Sequence, residues 1–109
     1  MEILQDKIDL KRVKRAAGTA CSLLKALAHE DRLVLLCQLA EGERSVGELE
    51  ELLDIRQPSL SQQLGVLRNE GLVSTRREGT RIYYALASAE AIAVMRTLYE
   101  QFCVPKARR

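Results

Sequence analysis

Four side chains in this 109-residue chain could bind a soft metal or undergo oxidation: Cys21, Cys37, Cys103 and His29, the only histidine. Three thiolates could in principle form a trithiolate site, since zinc-type sites use three or four compact Cys, His or carboxylate ligands. The ligand count is at its minimum here and the spacing is wide, so no metal ligand is assigned, and His29 reads better as a helix-start residue. Alternatively, two thiols can be oxidised to a bridge. Cys37 falls on an apolar helix stretch, where a buried, inert thiol is the ordinary outcome. Cys103 stands at a helix end between Phe102 and Val104, where access is easier. The negative helix end disfavours its thiolate, while Lys106, Arg108 and Arg109 favour it. The 66 residues between Cys37 and Cys103 say nothing about contact. Enzyme chemistry finds little to work with. There is no Gly-rich phosphate loop, no Cys-x-x-Cys and no histidine close in sequence to a nucleophile, so neither an enzyme nor a cofactor is expected.

A second group of side chains suits recognition rather than reaction. Leu60, Leu64 and Leu67 recur at i, i+4, i+7, which turns Ser59, Ser61, Gln62 and Asn69 away from that stripe. This outward face is rich in uncharged hydrogen-bonding groups where a solvated helix would carry Glu and Lys. Glutamine can bond adenine bidentately in the major groove, and serine can serve several bases or a phosphate. Arg76, Arg77 and Arg81 cluster further on, around Glu78-Gly79-Thr80.

The elements that must hold these groups follow from patterning. Ser45 and Glu48 form a capping box, and Leu49, Leu52 and Leu53 give the helix it starts an apolar stripe. Asp54 to Gln57 make a turn, and Pro58 suits the first turn of the next helix. After Gly71 the period falls toward 2, so Leu72–Glu78 and Arg81–Leu86 read as a hairpin, with Gly79 supplying the turn. A helix-turn-helix (45–70) followed by a basic hairpin (72–86) is a winged DNA-binding unit. Its candidate DNA contacts are Gln57, Ser59, Ser61, Gln62, Gln63, Arg68, Arg77 and Arg81. Upstream, a helix is expected over about 3–28, with a candidate break at Gly18-Thr19 and a basic first half (Lys7, Lys11, Arg12, Lys14, Arg15). Another runs over about 30–40, with Leu33, Leu36, Cys37 and Ala40 on its apolar face. Ser88 caps a last helix whose apolar side is Ile92, Met95, Leu98, Tyr99 and Phe102; Pro105 stops it and 106–109 read as a frayed tail. The expected fold is a single domain over 1–109, mostly α with a β-hairpin wing, in the order α-α-α-α-β-β-α.

Composition agrees with a small globular domain at 47% apolar residues. A net charge of +2 is weak evidence for nucleic acid, but its distribution is uneven. From Arg56 to Arg81 five arginines face two glutamates, a net +3; from Glu41 to Asp54 six acids face one arginine, a net −5. The acidic part is expected to lie away from the phosphates. No apolar run approaches the roughly 20 residues that span a bilayer, and the N-terminus lacks a signal-peptide layout. The expected location is the cytoplasm, where thiols rest reduced.

The stretch SVGELEELLDIRQPSLSQQLGVLRNEGLVSTRREGTRIYYAL resembles the winged helix of the ArsR family of bacterial repressors, and the resemblance extends upstream through LLKALAHEDRLVLLCQL. More narrowly, the cysteine in LLCQL, SVGEL, QPSLSQQL, EGLV, RREGTRIYY and a cysteine near the C-terminus resemble the sulfide- and persulfide-responsive branch, the BigR and SqrR type. Metal-sensing relatives carry a Cys-x-Cys where this chain has Val46-Gly47-Glu48, and zinc-sensing ones place Asp and His ligands in a last helix that here has no histidine. The resemblance implies a homodimer built on 3–28 and 88–103, binding a palindromic double-stranded operator with half-sites about one helical turn apart. It also implies that Cys37 and Cys103 form a dithiol switch answering to reactive sulfur species, with sulfide-detoxification genes as targets. Cys21 has no role in that pattern. The alternatives are a metal(loid)-responsive repressor using cysteine thiolates, a general peroxide sensor, and an interaction module that does not bind DNA.

Overall fold

Asp9 decides where the chain becomes helical. In the computed structural model, which describes residues 7–105, its carboxylate accepts from the amides of Lys11 (3.0 Å) and Arg12 (3.4 Å). Two of the four amides that a helix start leaves unpaired are thereby satisfied. Helix α1 runs Leu10–Leu27. The helix expected over 3–28 is thus shorter: residues 7–9 are not helical, and 3–6 lie outside the described residues. Gly18-Thr19 does not interrupt it. His29 caps α2 (Glu30–Leu39) by accepting from the Asp31 amide through Nδ1 at 3.2 Å.

The remaining elements are β1 (Arg44–Ser45), α3 (Val46–Leu53), α4 (Ser59–Asn69), β2 (Val73–Glu78), β3 (Arg81–Leu86) and α5 (Ala89–Phe102). The expected order therefore gains one strand. β1 pairs antiparallel with β3, Arg44 opposite Tyr84 and Ser45 opposite Tyr83, so the hairpin is part of a three-stranded sheet ordered β1-β3-β2. The capping box at α3 is complete: the Ser45 amide donates to Glu48 Oε1 (2.8 Å) and the Glu48 amide to Ser45 Oγ (3.2 Å). The Ser45 amide, then its hydroxyl, hold the Glu48 carboxyl below the ordinary carboxylate range. Asp54 ends α3 in the left-handed conformation (φ 55°). Gly79, also left-handed at φ 64°, makes the wing turn.

Leu35, Leu36, Leu49, Leu60, Leu64 and Leu67 form the fully buried centre. All three leucines of the α4 stripe are there, as its period demands. Two other expected faces are wrong in part. Leu52 is exposed on α3. On α2 the buried side is Leu35, Leu36 and Leu39; Leu33 is half-buried, while Cys37 and Ala40 are exposed. The run from Leu33 to Ala40 is apolar nearly all round, so its own period does not choose a face. Packing against α4 and β3 chooses it.

The flanking helices are covered only in patches. α1 buries Ala26 and Leu27 at its end and leaves Leu10, Val13 and Leu24 exposed. α5 buries Ala91 and Met95, while Ile92 and Leu98 are half-buried and Tyr99 and Phe102 exposed. The radius of gyration is 16.3 Å, against about 13 Å for a compact chain of roughly this length.

Candidate nucleic-acid interface and thiol pair

The polar face of α4 is built from beneath by its leucines. With Leu60, Leu64 and Leu67 buried, Ser61, Gln62, Arg68 and Asn69 stand exposed and Ser59 half-buried. The Gln62 backbone N–H donates to the Pro58 carbonyl at 3.1 Å, while its side-chain amide has no hydrogen-bond partner among the described residues and is free to turn its oxygen or its nitrogen outward. Two other candidates are engaged. Gln57 accepts the Ser61 amide through Oε1 at 3.1 Å, which satisfies a free donor at the start of α4. Gln63 is half-buried, and its Oε1 accepts from Arg32 Nη1 on α2 at 2.9 Å. Nothing in the sequence marks Arg32 for this; the two residues are 31 positions apart.

The wing carries its arginines differently from a simple cluster. Arg77 pairs across the hairpin with Ile82 and Arg81 with Glu78, so their side chains leave opposite faces of the ribbon. Arg76 makes two 2.8 Å bonds to the Glu43 carboxylate and one of 3.0 Å to Glu78, and its guanidinium lies 4.5 Å from the Tyr83 ring centre. Those carboxylates, Glu43 foremost, raise the Arg76 pKa further above its already high value. Arg81 lines an open cleft of about 420 Å³ with Ser45, Gly47, Glu48, Glu51 and Thr80, and it acts electrostatically on Glu48. The acidic stretch is therefore not remote from the basic one. Glu43 and Glu48 lie against the wing's own arginines, which leaves Arg77 as the wing arginine with no such carboxylate described beside it.

The thiols are all free and exposed. α5 packs on α2, and Cys103 is the C-cap of α5. Partial burial pushes the Cys37 thiol up, and the charge of Cys103 pushes it further. Two thiols 66 residues apart thus share one electrostatic neighbourhood. This corrects the expectation that Cys37 is buried in the core: rotation of α2 around its leucines turns the sulfur outward, although adjoining chain still desolvates it. Cys21 lies exposed on α1. Lys106, Arg108 and Arg109 lie outside the described residues. Among the described residues no three His, Cys, Asp or Glu side chains gather as a metal ion would need, and no helix is long and apolar enough to cross a membrane.

Comparison with known proteins fits this arrangement. Residues 29–75 match the model of the bacterial regulatory protein, arsR family. The chain is 54% identical over 100 residues to the biofilm growth-associated repressor of Agrobacterium fabrum, covering 92% of this chain and 86% of that protein. Its structure is similar to that of the transcriptional repressor BigR from Xylella fastidiosa, with a TM-score of 0.84 and 47% identity over 90% of this chain and all of the other. It is also similar to reduced HlyU from Vibrio cholerae, at TM-score 0.81 and 41% identity over 86% of this chain and 99% of the other. Winged-helix geometry, family model and relatives agree: the chain belongs to the arsR family of bacterial regulatory proteins, as a DNA-binding transcriptional regulator and not an enzyme.

Proposed function

We propose that the chain is a homodimeric cytoplasmic repressor whose grip on a palindromic operator is released when Cys37 and Cys103 are joined. α4 lies in the major groove, where Gln62 reads base edges with Ser59 and Ser61 beside it. Gln57, Arg68, Arg77 and Arg81 contact the flanking backbone. The exposed faces of α1 and α5 pack against a second copy. The inducer is a reactive sulfur species, and the controlled genes handle sulfide or reactive sulfur.

What supports the switch is that both thiols are free and exposed, Cys37 on α2 and Cys103 at the end of the α5 that packs on it, with the charge of Cys103 raising the Cys37 pKa beside the larger effect of burial. The chemistry balances with a persulfide as oxidant. One cysteine thiolate attacks the outer sulfur of the persulfide and expels the small thiolate, which leaves a protein persulfide. The second thiolate attacks the protein-bound sulfur, forms the bridge and expels hydrosulfide. Longer polysulfides insert extra sulfur atoms and tolerate a wider gap than a disulfide, whose Cα atoms stand roughly 4.4–6.8 Å apart.

The test is mass spectrometry after polysulfide, peroxide or metal treatment, with DNA binding followed in parallel. Polysulfide should add an intramolecular Cys37–Cys103 link, without a covalent dimer, and release the operator. Cys37→Ser and Cys103→Ser should bind DNA and fail to release it; Cys21→Ser should respond normally. A Cys103→Ser protein that still releases, or a response abolished by a chelator, overturns the dithiol mechanism.

A further inference from the structure

Arg32 is a half-buried cation at the meeting point of three helices. Its Nε donates to the Ala26 carbonyl at 2.6 Å and its Nη2 to the Lys25 carbonyl at 3.3 Å, both in the last turn of α1. Its Nη1 donates to Gln63 Oε1 on α4 at 2.9 Å. A cation suits the negative end of α1, and the planar guanidinium spreads its donors in a fixed fork that reaches both helices, whereas an ammonium gathers its donors at one point. The amide orientation of Gln63 is fixed by chemistry, because a guanidinium has donors only and so must face the oxygen.

Gln63 follows Gln62 on the same helix, so whatever holds Gln63 adds to the buried leucines in fixing the rotation of α4. Side-chain tips lie about 5–6 Å from a helix axis, and a 10° rotation would move the Gln62 tip by about 1 Å. That displacement is enough to spoil hydrogen-bond geometry at a base edge.

We propose that Arg32 is a positioning residue for operator reading, fixing α4 to the end of α1 through Gln63, and that Gln63 receives this tether instead of reading a base. The inference rests on the operator-binding reading above. It also gives α2 two tasks on different sides. Arg32 and Cys37 are five residues apart, roughly 140° around the helix and about 7.5 Å along it. A pull on Cys37 from α5 therefore acts on the helix that holds the tether.

A double-mutant cycle tests the proposal. The duplexes are one selected by the wild-type protein from a random pool and one scrambled control. Arg32→Lys, which keeps the charge, and Gln63→Ala should each weaken binding to the selected duplex about tenfold. The double variant should lose about the same tenfold, and binding to the scrambled duplex should stay within about twofold in all three. Gln63→Glu keeps an acceptor for Arg32 and removes the amide donors, so its preference for the selected duplex should persist. A roughly hundredfold loss in the double variant would show independent roles and overturn the tether. Equal losses on both duplexes, or a Gln63→Glu protein without preference, would overturn it as well. A wild type that selects no duplex defeats the repressor reading itself, a result distinct from additivity in the cycle.

Discussion

The middle of the chain and its two ends solve the burial problem in opposite ways. From α2 to β3 most of the leucines meet one another: Leu60, Leu64 and Leu67 on α4 are 0%, 1% and 0% exposed. At the ends, Leu10 on α1 is 67% exposed and Phe102 on α5 is 82%. The reading unit is complete within one chain, while the flanks carry apolar surface that one chain does not cover. Apolar surface left exposed at these flanks is available to an interaction partner. On the dimer reading proposed above, fold and assembly have separate determinants, and mutations can pull them apart.

The largest effect is expected inside the reading unit. Leu64→Ala should lower unfolding stability by about 2–5 kcal/mol in urea titration, because the surrounding leucines cannot fully collapse onto the gap. A loss below about 1 kcal/mol would mean that this unit is held mainly from outside. Phe102→Ser should do the reverse. The isolated fold should change by less than about 0.5 kcal/mol, while dimerisation weakens by about 1.5–3 kcal/mol per side chain buried between copies. Sedimentation equilibrium reads that difference, and a variant that associates like the wild type would remove Phe102 from the interface.

Gln62→Ala lies on the complete half but touches neither core nor flank. It should reduce operator affinity by about 1–3 kcal/mol with unchanged unfolding and unchanged assembly. The thiols probe the seam between the two regions. Because the charge of Cys103 helps to raise the Cys37 pKa, Cys103→Ser should lower it and speed alkylation of Cys37 at mildly alkaline pH, followed by mass spectrometry. An unchanged rate would mean the two sulfurs do not sense each other. The smallest effect belongs to the wing: Arg81→Ala should weaken selected and scrambled duplexes alike and reduce the salt slope by about one unit. A loss confined to the selected duplex would make Arg81 a base reader.

The reading unit was legible in the sequence because its signals are local. Ser45 and Glu48 are three residues apart, the α4 leucines keep helical period, and the wing alternates around Gly79. What escaped has no local signal. A two-residue strand such as β1 shows no period. The run from Leu33 to Ala40 carries apolar residues on every side, so the exposure of Cys37 depended on what packs against α2. Arg32 with Gln63 and Arg76 with Glu43 join positions more than 30 apart, and only the folded chain pairs them. Cys37 and Cys103 are likewise too far apart in sequence for a local signal to relate them. The start of α1 at Leu10 has no such signal, because its cap Asp9 sits inside an apolar repeat that runs past it.

Ser45 belongs to two elements at once, as the end of β1 and the cap of α3, and this limits how the chain can be recut. An extra residue between Glu43 and Val46 would slip β1 by one position and turn its side chains to the wrong face. The same insertion at Gly79-Thr80 only lengthens the hairpin tip. The wing turn can therefore change its length by changing its turn type, whereas the junction before α3 has a fixed length. A chimera that transplants this helix-turn-helix onto another body must begin its graft at Arg44, not at the first residue of the helix.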